Sequence, residues 1–248
     1  LTFREVLAKS SNVGAIKTGL MVGKPDLYRQ IVDFGFGSLT GIDLPGESPG
    51  ILRSADRWPK RATAYISFGQ NLSVTTLQMA NAFAAVATGG SLLRPYVVTG
   101  VGNTGELVQD QHSRPRQVGN PVNASTARSL ERLLESVVTD GTGKKAAIPG
   151  FRVAGKTGTT QKASPDGGYA ARKFVASFVG FAPARRPAIV GMITIDEPEP
   201  SLGYHGGDVA APVFRKNALH VLQHLGIPPE PQAAPVRKTT APKGGPAQ

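Results

Sequence analysis

At 248 residues and 40% hydrophobic content, the chain has apolar material for one large domain or two small ones. The formal net charge of +11 is spread along it, in pairs such as Lys144-Lys145, Arg185-Arg186 and Arg237-Lys238, with no basic stripe interleaved with aromatics, so no nucleic-acid partner is expected. The absence of cysteine excludes disulfides and thiolate metal sites, and no run of about 18 apolar residues would span a membrane.

Thr2-Phe3-Arg4-Glu5 is a capping box, with Leu1 and Val6 placed as a hydrophobic staple, so a helix is predicted to start at once and end near Lys9. Ser10-Ser11-Asn12 prefer caps and turns and break it, before Val13, Ile16 and Leu20 resume a helical stripe. Ser10 and Asn12 therefore stand at a helix junction with free side chains, although a lone S-x-N is ordinarily no more than a cap. Asp26 is expected to cap a third helix with Leu27, Ile31 and Phe34 on one face, followed by a Gly/Pro-rich loop over 35–50. The run Ala62 to Phe68 reads as a short strand and Gly69-Gln70-Asn71 as a turn. A helix carrying Leu77, Ala80, Phe83, Ala84 and Ala87 follows and ends at Gly89-Gly90. Beyond it come a strand over 92–101, a polar loop, and a helix whose apolar face is Ala127, Leu130, Leu133, Leu134, Val137 and Val138.

From Phe151 the periodicity changes to three strands, 151–160, 173–182 and 188–196, the last two joined by a short turn over 183–187. Those two lack alternation, which predicts burial on both faces and helices covering an antiparallel sheet from two sides. One cover is a final helix striped by Val209, Val213, Phe214, Val221, Leu222 and Leu225. His220 and His224 lie one turn apart on it, but no third ligand is evident and no metal is expected. From residue 227 to 248 the chain is Pro-rich and too poor in apolar residues to pack, so a disordered tail or linker is expected after a domain over 1–226.

The stretch that gathers most chemistry is Val153 to Gln161, V-A-G-K-T-G-T-T-Q. Lys156 offers a point charge, Thr157 and Thr159 offer hydroxyls, and Gly158 is expected to leave the backbone open for a ligand lying against the strand edge. Gly150 to Thr157 also satisfies the nucleotide-binding pattern G-x-x-x-x-G-K-[ST], with Asp196-Glu197 ending a later apolar run. Context opposes that reading, because Gly158, Pro165, Gly167 and Gly168 forbid the helix that a phosphate-binding loop must open.

Ser10-x-Asn12 followed by Lys156-Thr157-Gly158-Thr159 on a strand resembles the second and third signatures of the serine penicillin-recognising enzymes. Three further stretches, Glu5 to Gly14 (E-V-L-A-K-S-S-N-V-G), Ser67 to Ala80 (S-F-G-Q-N-L-S-V-T-T-L-Q-M-A) and Tyr204 to Phe214 (Y-H-G-G-D-V-A-A-P-V-F), are similar to class B penicillin-binding proteins of the cell-division type. Asn71 stands where that family usually has Gly, and Thr76 where it commonly has Pro.

The resemblance implies an α+β fold of the serine transpeptidase, β-lactamase-like kind: an antiparallel sheet covered by helices, plus a helical subdomain, incomplete in this chain. It implies a peptidoglycan D,D-transpeptidase that joins stem peptides through an acyl-serine, binds β-lactams and needs no cofactor. The implied setting is the outer face of the bacterial inner membrane, with division membrane proteins as partners and an anchoring helix upstream. Lys156, Thr157, Gly158 and Thr159 would bind the D-Ala-D-Ala carboxylate, with the Thr159 N–H as one oxyanion donor. Ser10 would relay the leaving-group proton, and Asn12 would bind the substrate amide. No serine here has a lysine three positions on, and Leu1 rather than Met opens the chain, so a C-terminal piece of the domain, inactive alone, is expected. The alternatives are a non-catalytic penicillin or peptidoglycan sensor and, within the same fold, a carboxypeptidase or β-lactamase.

Overall fold

The computed structural model describes residues 1–100, 102, 115–164 and 168–230. Helix α1 (Phe3–Ala8) opens on the expected capping box, in which the Thr2 hydroxyl accepts from the Glu5 N–H at 3.3 Å and the Thr2 N–H donates to the Glu5 carboxylate at 2.8 Å. Helix α2 (Asn12–Val22) is capped by Ser11, whose hydroxyl accepts from the Gly14 N–H at 3.2 Å. Helix α3 (Lys24–Asp33) starts at Gly23 with Pro25 in its first turn, so Asp26 is not its cap; it pairs with Arg29 at 2.8 Å. Its apolar residues also divide: Leu27 and Ile31 pack around Trp58, Ala62 and Ile66, whereas Phe34 joins a different cluster.

The run expected as a strand at 62–68 is a helix, α4 (Ala62–Ser67). Ala62 and Ile66 both pack with Trp58, and because a four-residue spacing shares one face in a helix and in a strand alike, the sequence pattern does not separate the two. Helix α5 (Thr76–Ala87) carries a second capping box, Thr75 with Gln78, and buries Gln78, Ala82, Ala85 and Val86, rotated from the face that Leu77, Ala80 and Ala84 suggested. Gln78 is tolerated inside because its amide donates to the carbonyls of Ser38 at 2.8 Å and Pro49 at 2.9 Å, tying down the 35–50 loop. The strand expected over 92–101 stops early: β1 (Leu92–Arg94) pairs antiparallel with β2 (Arg116–Gly119), and residue 101 lies outside the described residues.

Helix α6 (Ala124–Thr139), capped by Asn123, buries Ala127, Leu134, Val137 and Val138 as its periodicity requires. The main sheet is antiparallel in the order β3 (Ala154–Ala163), β4 (Tyr169–Ala182), β5 (Ile189–Asp196), with Lys156 opposite Val179 and Thr159 opposite Ala176. Phe178 and Phe181, three positions apart on β4, point to opposite faces. Phe178 meets Phe214 of α7 (Gly206–His224) at a ring separation of 4.9 Å, while Phe181 packs with Val86 of α5 and Leu134 of α6. Both faces are thus covered by helices. On α7 the buried row is Ala210, Phe214, Ala218 and Leu222, at strict four-residue spacing; Val213, Val221 and Leu225, expected in that stripe, are exposed. Ile227 still packs against this core, and the Glu230 N–H donates to the Gly150 carbonyl at 2.7 Å; residues 231–248, most of the expected tail, lie outside the described residues. Among the described residues no helix is long and apolar enough to cross a membrane.

Candidate active site

Edge strand β3 lays Lys156, Thr157, Gly158 and Thr159 beside the junction between α1 and α2. At that junction Ser10 takes φ 53°, a left-handed conformation that turns the chain out of α1 before Ser11 caps α2. The Lys156 ammonium donates to the Ser10 hydroxyl at 2.8 Å and to the Thr157 carbonyl at 3.0 Å, joining residues 146 positions apart. Burial, with no carboxylate among the described residues paired to it, lowers the Lys156 pKa to about 8.

A cleft of about 740 Å³ opens over this contact, lined by Ser10, Asn12, Thr157 and Thr159. Asn12 is the first residue of α2, solvent-exposed, with its amide free for a ligand. Thr159 accepts from the Gly206 N–H at 3.1 Å, which fixes the first turn of α7 against the strand. That approach requires glycine at 206, where a Cβ would lie 2.0 Å from the Ser177 carbonyl oxygen and 2.4 Å from that of Gly158. Gly158 has a different reason from the one expected: its missing side chain makes room for Ser177 on β4, whose hydroxyl would lie 2.5 Å from a Cβ there. The open edge a ligand needs is supplied by the outer side of β3 itself.

Several lining residues were not legible beforehand. Thr142 meets Thr157, hydroxyl to hydroxyl, at 2.7 Å; Lys145 pairs with Asp208 at 2.8 Å and Lys144 stands beside it; Phe174 and Tyr204 stack at 4.3 Å, with His205 against Tyr204. Tyr204-His205 was visible only as part of a similar stretch, and Asp140-Gly141-Thr142-Gly143 carried no expectation at all. A smaller cavity of about 440 Å³, bounded by Phe34, Leu39, Thr40, Asn81, Leu92 and Val118, contains none of the motif residues.

The nucleotide reading has no structural setting. Lys156 sits within β3, which runs on to Ala163 with no helix after the lysine, and Asp196 and Glu197 are engaged by Lys162 at 3.0 Å and 2.9 Å. His220 and His224 are both exposed, and among the described residues no group of three or more His, Cys, Asp or Glu is placed to hold a metal. What the cleft offers is the Lys156 ammonium beneath Ser10, the hydroxyls of Ser10, Thr142, Thr157 and Thr159, the Asn12 amide and a strand edge. Those groups can hold a carboxylate and an adjoining peptide, and a proton can pass between Ser10 and Lys156.

The Penicillin binding protein transpeptidase domain matches residues 1–218. Stage V sporulation protein D of Bacillus subtilis is 38% identical over 228 residues, 92% of this chain and 35% of that protein. The probable peptidoglycan D,D-transpeptidase PbpC of Pseudomonas aeruginosa is 38% identical over 231 residues, 93% of this chain and 38% of its own length. The chain thus spans little more than a third of these two relatives. The crystal structure of penicillin binding protein 3 from Mycobacterium tuberculosis complexed with ampicillin superposes with a TM-score of 0.85 at 34% identity, over 94% of this chain and 53% of that one. Sequence, fold and the pairing of the two motifs across the cleft agree: the chain belongs to the penicillin-binding protein transpeptidase family.

Proposed function

We propose that this chain carries the substrate-binding side of a peptidoglycan D,D-transpeptidase that also reacts with β-lactams. The observation that carries this reading is the 2.8 Å contact from Lys156 to Ser10 at the edge of β3, which unites S-x-N with K-T-G-T in one cleft. Lys156 and the Thr157 hydroxyl grip the terminal carboxylate of a D-Ala-D-Ala donor, and that grip sets the scissile carbonyl along the strand. The Thr159 N–H meets the oxyanion as it forms, a donor of a kind worth about 10²–10³ in rate. Ser10 gives its proton to the departing D-Ala nitrogen and takes one from the Lys156 ammonium, while Asn12 binds the donor's amide. The serine that becomes acylated is assigned to a longer polypeptide, since no S-x-x-K occurs in these 248 residues. The likeness to cell-wall enzymes supports an extracytoplasmic place of work, and the same reading extends to division membrane proteins as partners and to an anchor elsewhere in the polypeptide.

The test is acylation of the full-length protein by penicillin. Lys156→Ala is expected to slow it by one to two powers of ten, the loss of a charged hydrogen-bond partner of roughly 1.5–3 kcal/mol. Lys156→Arg should restore only part, because a planar fork replaces a compact ammonium. An unchanged rate in Lys156→Ala would overturn the assignment of the carboxylate site.

A further inference from the structure

Thr142 belongs to neither motif, yet its hydroxyl lies 2.7 Å from that of Thr157 and faces the same cleft. The loop that presents it is already fixed by its backbone. The Thr142 N–H donates to the Ala8 carbonyl at 3.0 Å, two residues before Ser10, and the Gly143 N–H donates to the Val137 carbonyl at 2.9 Å. From the other side α7 closes on it, since a Cβ on Gly207 would lie 2.3 Å from the Thr142 carbonyl oxygen. The side chain is exposed and is not needed to hold this loop, so its hydroxyl is available for another task.

That task follows from the chemistry of Thr157. Its hydroxyl oxygen has the Lys156 ammonium 3.5 Å away on one side and Thr142 on the other. A threonine hydroxyl has one proton and two lone pairs. To donate to a bound carboxylate, Thr157 must keep its proton pointing into the cleft and accept from its neighbours. We propose that Thr142 is a positioning residue for the carboxylate site: it donates to Thr157 and so orients the Thr157 proton toward the anion. The inference rests on the transpeptidase reading only in taking a carboxylate as the group held there.

The experiment measures second-order acylation of the full-length protein by a penicillin and by its carboxamide analogue, with melting temperatures taken alongside. Wild type should prefer the carboxylate. Thr142→Val, nearly isosteric, is expected to slow the penicillin by roughly 3- to 10-fold, the range for one neutral hydrogen bond, and the carboxamide less than about twofold. Thr142→Ser should return the penicillin rate to within about twofold of wild type. If Thr142→Val lowers the melting temperature, Thr142→Ala is judged by the same ratio of the two ligands. Equal slowing of both ligands, no slowing, or failure of Thr142→Ser to rescue would each overturn the role of Thr142 while leaving the carboxylate site intact. A wild type that does not distinguish the two ligands would overturn that site and this inference together.

Discussion

Lys156 should make the stability of the chain depend on alkaline pH, and Lys156→Met isolates the effect. Burial lowers its pKa from 10.5 to about 8, so between those values the unfolded chain holds a proton that the folded chain has released. Stability therefore rises with pH across that window, and the cost of keeping the ammonium in the fold is felt in full below pH 8. A displacement of about 2.5 units at about 1.36 kcal/mol each corresponds to roughly 3 kcal/mol. Methionine removes the titration and keeps most of the volume. The measurement is urea unfolding of both proteins between pH 7 and pH 10.5. The wild type is expected to gain about 3 kcal/mol relative to Lys156→Met over that range, whatever offset the lost contacts to Ser10 and Thr157 add at pH 7. Every other titratable group is common to the two proteins, so the difference reports residue 156. Two curves that stay parallel would show that Lys156 is solvated like any surface lysine and would refute the reasoning.

Two further substitutions test the packing that builds the site. Gly206→Ala would drive a Cβ into the carbonyls of Ser177 and Gly158, so α7 must withdraw from β3; a loss of about 1–3 kcal/mol is expected by denaturant unfolding, and no loss would mean α7 is not docked there. Glu135, 8% exposed, accepts a two-pronged contact from Arg152, one prong at 2.8 Å. Glu135→Gln should cost about 1–2 kcal/mol, less than a fully buried pair because the Arg152 side chain is 43% exposed, and unfolding midpoints read the change.

The main sheet was legible because helices cover it from both sides and write apolar runs into β4 and β5, although only the end of β4, Phe178 to Ala182, is continuously buried and β5 is half-buried rather than buried on both faces. The same logic fails where burial is one-sided and short. Six residues from Ala62 to Ser67 are too few for periodicity to separate strand from helix, and what decides is the distant Trp58 against which Ala62 and Ile66 pack. Strand β2 carries Arg116-Gln117-Val118-Gly119 with Val118 54% exposed, so it is held by pairing with β1 and leaves no burial signal. The stripe on α7 was drawn too wide because Val213, Val221 and Leu225 are apolar by type but lie outside the four-residue row that meets the sheet.

For the site the division is sharper. Lys156, Thr157 and Thr159 could be singled out from chemistry, an ammonium with short hydroxyls beside it, whereas Ser10 and Asn12, which read alone as helix caps, were singled out only through the family resemblance. Thr142 could be singled out by neither route, because its part comes from position alone. It stands where the end of α6 returns beside the end of α1, and the bond from its N–H to Ala8 both aligns that return and sets Ser10 against β3. The field in the cleft follows from the same arrangement. Asp208 neutralises Lys145 at 2.8 Å, whereas among the described residues no carboxylate pairs with Lys156, so the uncompensated charge within β3 is its half-buried ammonium. A bound carboxylate would stabilise that charged form and raise its pKa above about 8. Binding of the anion near pH 8–9 should accordingly take up a proton, which places that proton on Lys156, 2.8 Å from Ser10, when the leaving nitrogen needs one.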